Sequence, residues 1–221
     1  MPACWASWPG NWPRDAKGLP VKASRNSVLA VLAVVLVAAI AIGSRIMVWS
    51  GGEHATASIG GSFTLVDGDG KTVTDADFRG KWMLIYFGYT FCPDVCPTAL
   101  SSVAAAMDKL SAAERFKLTP IFITVDPTRD TPAVMKDYAA AFHPKMVGLT
   151  GSEAQVAQVM KAYKVYGAKA KAKGTSEDAT TYTVDHSSIL YLVGPDGRFV
   201  AHFPHGTTVD DLTNALKKFL K

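Results

Sequence analysis

Residues 82–100 read WMLIYFGYTFCPDVCPTAL, and the change of pattern inside this stretch decides the fold. Trp82 to Phe87 is an unbroken apolar run between Gly80 and Gly88, the signature of a strand buried on both faces of a sheet. From Pro97 onward, Ala99, Val103 and Met107 recur at every fourth residue. Pro97 suits a first helical turn, where its missing N–H costs nothing. A buried strand therefore hands over to a helix expected over about 97–110, with Cys92 and Cys96 at the junction. Such junctions are where α/β sheets place their sites.

Outward from this stretch the same two patterns alternate. Upstream, Phe63 to Val66 and Lys71 to Val73 flank the turn signal DGDG at 67–70 and predict a leading hairpin. Downstream, PIFITV at 120–125 predicts a second buried strand, 132–142 a helix, Val147 to Thr150 a short strand, and 153–165 a helix with Ser152 as its N-cap. Ser188 to Val193 and Arg198 to Phe203 predict strands around the GPDG turn at 194–197, and 208–220 an amphipathic last helix. The polar stretch GAKAKAKGTSEDATT at 167–181 is expected to be a mobile surface insertion. Strands alternating with helices, then a hairpin and a final helix, predict an α/β three-layer sandwich with a mixed sheet, in thioredoxin-like order.

The beginning of the chain is of a different kind. Asn26 to Ser44 carries no charge and consists mostly of Val, Leu, Ala and Ile. As a helix it extends roughly 28 Å at 1.5 Å per residue, close to the thickness of a bilayer's hydrocarbon core. A cleaved signal peptide shares the pattern, but its apolar region is shorter, roughly 7–15 residues; under either reading the domain is exported. Four basic residues precede this segment and Arg45 closely follows it, which orients the N-terminus towards the cytoplasm. The expected organisation is a cytoplasmic tail at 1–25, a transmembrane helix at 26–48, a linker at 49–60 and one domain at 61–221. The absence of an Arg- and Ser-rich amphipathic presequence favours a single-pass protein of a bacterial inner membrane, its domain in the periplasm.

Charge narrows the partners. The net +4 of the 221-residue chain lies entirely in its first fifty residues, and the remainder balances to zero. A neutral domain offers no clustered Lys and Arg for a phosphate backbone, so nucleic acid is excluded as a partner.

Of three cysteines, Cys92 and Cys96 fall in the expected exported domain. Two thiols in an oxidising space form a disulfide, a redox pair or a metal site. At i and i+4 both sulfurs project to one side, and a helix N-terminus favours thiolate over thiol, so two low-pKa thiolates are expected. Soft thiolates select Cu(I), zinc or iron–sulfur centres, but two ligands are too few for a closed tetrahedral zinc site. Among five histidines, His186 in TVDHSSILYLVGPDG stands just before the strand expected to pair beside the cysteine-bearing strand. Two sulfurs and one imidazole suit Cu(I), and an added oxygen Cu(II). Asp185 is a candidate to supply that oxygen or to orient the imidazole. A helical i,i+4 spacing of roughly 6 Å equally tolerates a structural disulfide, so spacing alone leaves both readings open.

FGYTFCPDVCP at 87–97, VDPTRDTP at 125–132 and VDHSSILYLVGPDG at 184–197 together resemble the Sco/SenC family of copper chaperones, in order and over roughly residues 60–220. The resemblance implies a thioredoxin-like fold behind one N-terminal transmembrane helix, and a copper site formed by Cys92, Cys96 and His186. It implies a role in assembling the binuclear copper centre of cytochrome c oxidase subunit II, as copper donor, thiol reductant or both, with an upstream periplasmic copper donor. It thus implies a metallochaperone rather than an enzyme. VDPTRDTP reads as structural, a strand end and a helix start, with Asp126 and Arg129 as candidates to border the site or a partner surface. The main alternative is a periplasmic thiol-disulfide oxidoreductase that uses Cys92 and Cys96 as a redox pair without an obligate metal. Against it stand the CxxxC spacing and a histidine where thioredoxins place a cis-proline. A peroxiredoxin-like peroxidase is disfavoured because no Arg lies near the cysteines in sequence.

Overall fold

The computed structural model describes residues 34–38, 59–171 and 182–221. From residue 59 on, the elements run β1 (Thr64–Asp67), β2 (Thr72–Thr74), a 3-10 turn (Asp75–Phe78), β3 (Trp82–Gly88), α1 (Val95–Asp108), α2 (Ala112–Lys117) and β4 (Leu118–Thr124). There follow α3 (Pro132–Phe142), β5 (Val147–Thr150), α4 (Glu153–Ala162), β6 (Gly167–Lys171), β7 (Tyr182–His186), β8 (Ile189–Val193), β9 (Phe199–Pro204) and α5 (Val209–Phe219).

Seven strands form one mixed sheet in the order β2-β1-β5-β4-β3-β8-β9. β3 pairs parallel with β4 and antiparallel with β8, whose Leu190 lies opposite Tyr86. Successive side chains of a strand face opposite ways, and the apolar run of β3 feeds two cores accordingly. Leu84 and Tyr86 pack with Phe122 against Leu100 and Val103 of α1, Met135 of α3 and Leu212 of α5. Met83, Ile85 and Phe87 pack with Ile121 and Ile123 against Val156 and Val159 of α4. Each such fully buried side chain contributes about 1.5–3 kcal/mol, which explains the absence of polar residues in the run. Helices cover both faces of the sheet, giving the expected three-layer sandwich.

This topology directs the chemistry to one end of the sheet. β3 runs antiparallel to β8, so the segment leaving β3 towards Cys92 and the segment entering β8 from His186 meet at the same end of the sheet. β6 and β7 form a separate two-stranded ribbon in which Gly167 lies opposite His186.

Four expectations need correction. The helix after β3 begins at Val95, not Pro97, so Cys96 is itself helical. Residues 167–171 are a strand rather than part of a mobile insertion; pairing with β7 overrides the weak strand preference of Ala and Lys. β7 was not expected, although Tyr182, Val184 and His186 alternate. α2 was likewise not expected; Ser111 and Glu114 form its capping box. The expected transmembrane helix lies outside the described residues except for 34–38, which are helical and exposed. No helix among the described residues is long and apolar enough to cross a membrane.

Candidate metal centre

Cys92, Cys96 and His186 converge: their ligand atoms all lie within 4.8 Å of one another. Both cysteines are free thiols, and Cys96 is fully buried. Asp94, at the N-cap of α1, makes no side-chain capping bond. The Cys96 N–H instead donates to Cys92 Sγ at 3.4 Å, so a sulfur takes the place of the usual capping oxygen at a helix start, where N–H groups lack partners.

His186 closes the site from the other side. Its Nε2 is 3.2 Å from Cys96 Sγ, and its Nδ1 is 3.2 Å from the Ser187 carbonyl. A carbonyl only accepts, so Nδ1 carries the proton and Nε2 turns its lone pair to the sulfur. Tyr86 and Tyr89 meet the imidazole edge-on, and the Tyr86 hydroxyl donates to Cys96 Sγ at 3.9 Å. Asp185 is exposed, on the face of β7 opposite His186; the orienting acceptor at Nδ1 is the Ser187 carbonyl.

Burial governs the electrostatics. Desolvation pushes the Cys96 thiol well above the ordinary cysteine range and the His186 imidazole below the ordinary histidine range. Two low-pKa thiolates are therefore not what the fold provides: at Cys96 burial outweighs the helix N-terminus, and the metal-free sulfur keeps its proton. A soft cation must displace that proton, since thiolate is the ligand. The His186 imidazole, already neutral, is ready to coordinate. Cu(I) affinity is accordingly expected to rise about tenfold per pH unit between pH 6 and 8 from the Cys96 proton alone. Competition with a chelator of known affinity at several pH values checks this; a flat profile would show that Cys96 releases no proton on binding.

Gly88 makes room for the sulfur. A Cβ there would sit 2.6 Å from Cys96 Sγ and 3.0 Å from the Phe122 ring. Gly88→Ala is expected to cost about 1–3 kcal/mol in urea unfolding and to weaken metal binding by displacing Cys96.

The turn between β4 and α3, VDPTRDTP, holds both halves of the site. Asp130 accepts from the Thr90 N–H at 3.1 Å, the Thr90 hydroxyl at 2.6 Å and the Thr124 hydroxyl at 2.6 Å. Asp126, fully buried, pairs with Arg129 and accepts from the Tyr182 hydroxyl at 2.8 Å. Arg129 Nη1 donates to the Tyr182 carbonyl at 3.1 Å, and the guanidinium lies 3.8 Å from the centre of the Tyr182 ring and 4.8 Å from that of exposed Phe91. Asp126 and Arg129 are among the candidates to border the site, whereas Thr90, Asp130 and Tyr182 were not expected there. The sequence shows two aspartates in VDPTRDTP, but that they are buried and so need partners is visible only in the fold.

Two thiols and an imidazole within reach of one ion are a donor set for Cu(I), or for Cu(II) with an added ligand. The SCO1/SenC family model matches residues 51–221. This chain belongs to the SCO1/SenC family. Among curated relatives, the SCO1/SenC chain is 42% identical over 178 residues to "Protein SCO1 homolog 1, mitochondrial" of Arabidopsis thaliana, covering 80% of this chain and 52% of that protein. It spans about half to three fifths of the length of the first such relatives. Its fold is similar to the crystal structure of Arabidopsis thaliana ScoI with copper bound, at TM-score 0.66 and 41% identity over 74% of this chain and 98% of the other. It is also similar, at TM-score 0.56 and 28% identity over 74% of this chain and 94% of the other, to BsSco. That protein is described as a member of the Sco family of cytochrome c oxidase assembly proteins with a disulfide switch.

Proposed function

We propose that this SCO1/SenC protein carries copper as cargo and delivers it to the binuclear copper centre of cytochrome c oxidase subunit II during assembly. The observation that carries the reading is the convergence of the Cys92 and Cys96 sulfurs with His186 Nε2, a soft site with one neutral imidazole. An upstream periplasmic donor supplies the ion. It passes to the acceptor by stepwise ligand exchange, one sulfur released as an acceptor thiolate binds. Residues 26–48 anchor the chain in a bacterial inner membrane, with the copper-binding domain in the periplasm; the apolar sequence at 26–44 supports this reading.

The test is an anaerobic Cu(I) titration of the reduced full-length chain in detergent, wild type against His186→Ala. One Cu(I) per chain is expected, with affinity falling by about a hundredfold or more in the variant, since even groups supporting a ligand are worth 10–100-fold. Binding indifferent to His186 would remove the histidine from the site.

A second reading, a thiol-disulfide reductant acting on the acceptor's cysteines, is favoured by the paired free thiols at the helix start. Cys92 would attack and Cys96 resolve the mixed disulfide. A domain that reduces an acceptor disulfide at the same rate with and without His186 would act in this second way.

A further inference from the structure

The ligands stand beyond the paired ends of β3 and β8, on pieces of chain that share no ladder with each other. Cys92 lies in the segment after β3, and His186 ends β7 in a separate ribbon. Beside the direct contact of His186 with Cys96, one turn hydrogen-bonds to both pieces. Its backbone is closed by the N–H groups of Arg129 and Asp130, both donating to the Asp126 carbonyl. It carries two carboxylates with no exposure, Asp126 and Asp130. Burying a carboxylate is costly unless hydrogen bonds compensate, and the partners here are telling. Asp130 bonds Thr90, two residues before Cys92, through both its N–H and its hydroxyl. Asp126 bonds the Tyr182 hydroxyl, and Arg129 the Tyr182 carbonyl, at the start of the strand that ends in His186. Four residues of extended strand reach roughly 13 Å, so pinning Tyr182 at both hydroxyl and carbonyl aims the far end of β7.

We infer that Asp130, through Thr90, and Asp126 with Arg129, through Tyr182, are positioning residues that set the distance between Cys92 and His186. The inference rests on the reading of Cys92, Cys96 and His186 as copper ligands. The motif 125–132 is then a brace holding the two halves of the site in register, beyond a strand end and a helix start.

Variants that remove one hydroxyl each test this without emptying the core. Tyr182→Phe keeps the ring against Arg129 and deletes only its bond to Asp126. Thr90→Val keeps the shape and deletes the hydroxyl bond to Asp130. In the full-length chain, Cu(I) affinity is measured for each variant alone and combined with His186→Ala, and the metal-free Cys92–Cys96 dithiol is equilibrated against glutathione. Tyr182→Phe is expected to lower affinity about tenfold when His186 is present and less than twofold when it is Ala, a non-additivity that marks action through the histidine. It should leave the thiol equilibrium unchanged.

Thr90→Val frees the segment that must move for the sulfurs to bond. It is expected to shift that equilibrium about tenfold towards the disulfide, about 30 mV, and Thr90→Ser should restore it. Equal losses from Tyr182→Phe in both backgrounds, or no loss in either, would make Tyr182 merely structural and overturn its part. An unmoved thiol equilibrium in Thr90→Val would overturn the other. If wild type takes up no copper, the copper reading falls and the Tyr182 arm with it, whereas the Thr90 arm is decided by the metal-free equilibrium.

Discussion

Cys96→Ser is expected to lower Cu(I) affinity by about ten-thousandfold, roughly 5.5 kcal/mol at 1.4 kcal/mol per decade. Cys96 is the ligand with the least freedom. It is fully buried, its sulfur is 3.2 Å from His186 Nε2, and its N–H is committed to Cys92 Sγ. A serine hydroxyl is a hard, weakly acidic donor and does not replace a thiolate at a soft cation. The fold itself should tolerate the change. The hydroxyl can still donate to the same imidazole nitrogen, so the metal-free protein is expected to lose only about 1–2 kcal/mol. Anaerobic competition for Cu(I), beside thermal unfolding of the metal-free form, separates the two effects. Retention of affinity within tenfold of wild type would remove Cys96 from the ligand set.

Much of this site was legible because its chemistry follows one change of sequence pattern. The run at 82–87 fixes the buried strand, the cysteines follow it directly, and His186 precedes the strand that pairs beside it. What escaped was tertiary. The protonated state of Cys96 depends on side chains from β3, α1 and β7 closing over it, and spacing within a helix does not report that. The strand at 167–171 exists because β7 offers a partner; its Ala and Lys residues carry no such preference. The two-residue error at the start of α1 has a local cause. Pro97 reads as the first helical residue, but the N-cap is Asp94 and Pro97 stands third, still within the first turn where a missing N–H costs nothing.

Asp126→Ala is expected to destabilise the fold by about 3–5 kcal/mol. The substitution strands Arg129, whose side chain is largely buried and whose Nη2 already finds no hydrogen-bond partner among the described residues. It also leaves the Tyr182 hydroxyl without its acceptor. Removing one member of a buried pair leaves an uncompensated charge, which is why the effect exceeds that of an exposed pair. Lys136–Asp69 on the surface provides the contrast: Asp69→Ala should leave the urea midpoint nearly unchanged. Urea unfolding followed by circular dichroism measures both. A loss below 1 kcal/mol for Asp126→Ala would mean that Arg129 re-pairs or reaches water.

The ribbon of β6 and β7 gives the protein a division of labour that an engineer could exploit. The sulfur donors stand on the segment and helix that follow the central strand β3, whereas the nitrogen donor is mounted on a ribbon that shares no ladder with the sheet. Donor hardness can therefore be retuned at position 186 while the sheet's pairing stays as it is, whereas a replacement hairpin must also supply the apolar side chain that Val184 adds to one core.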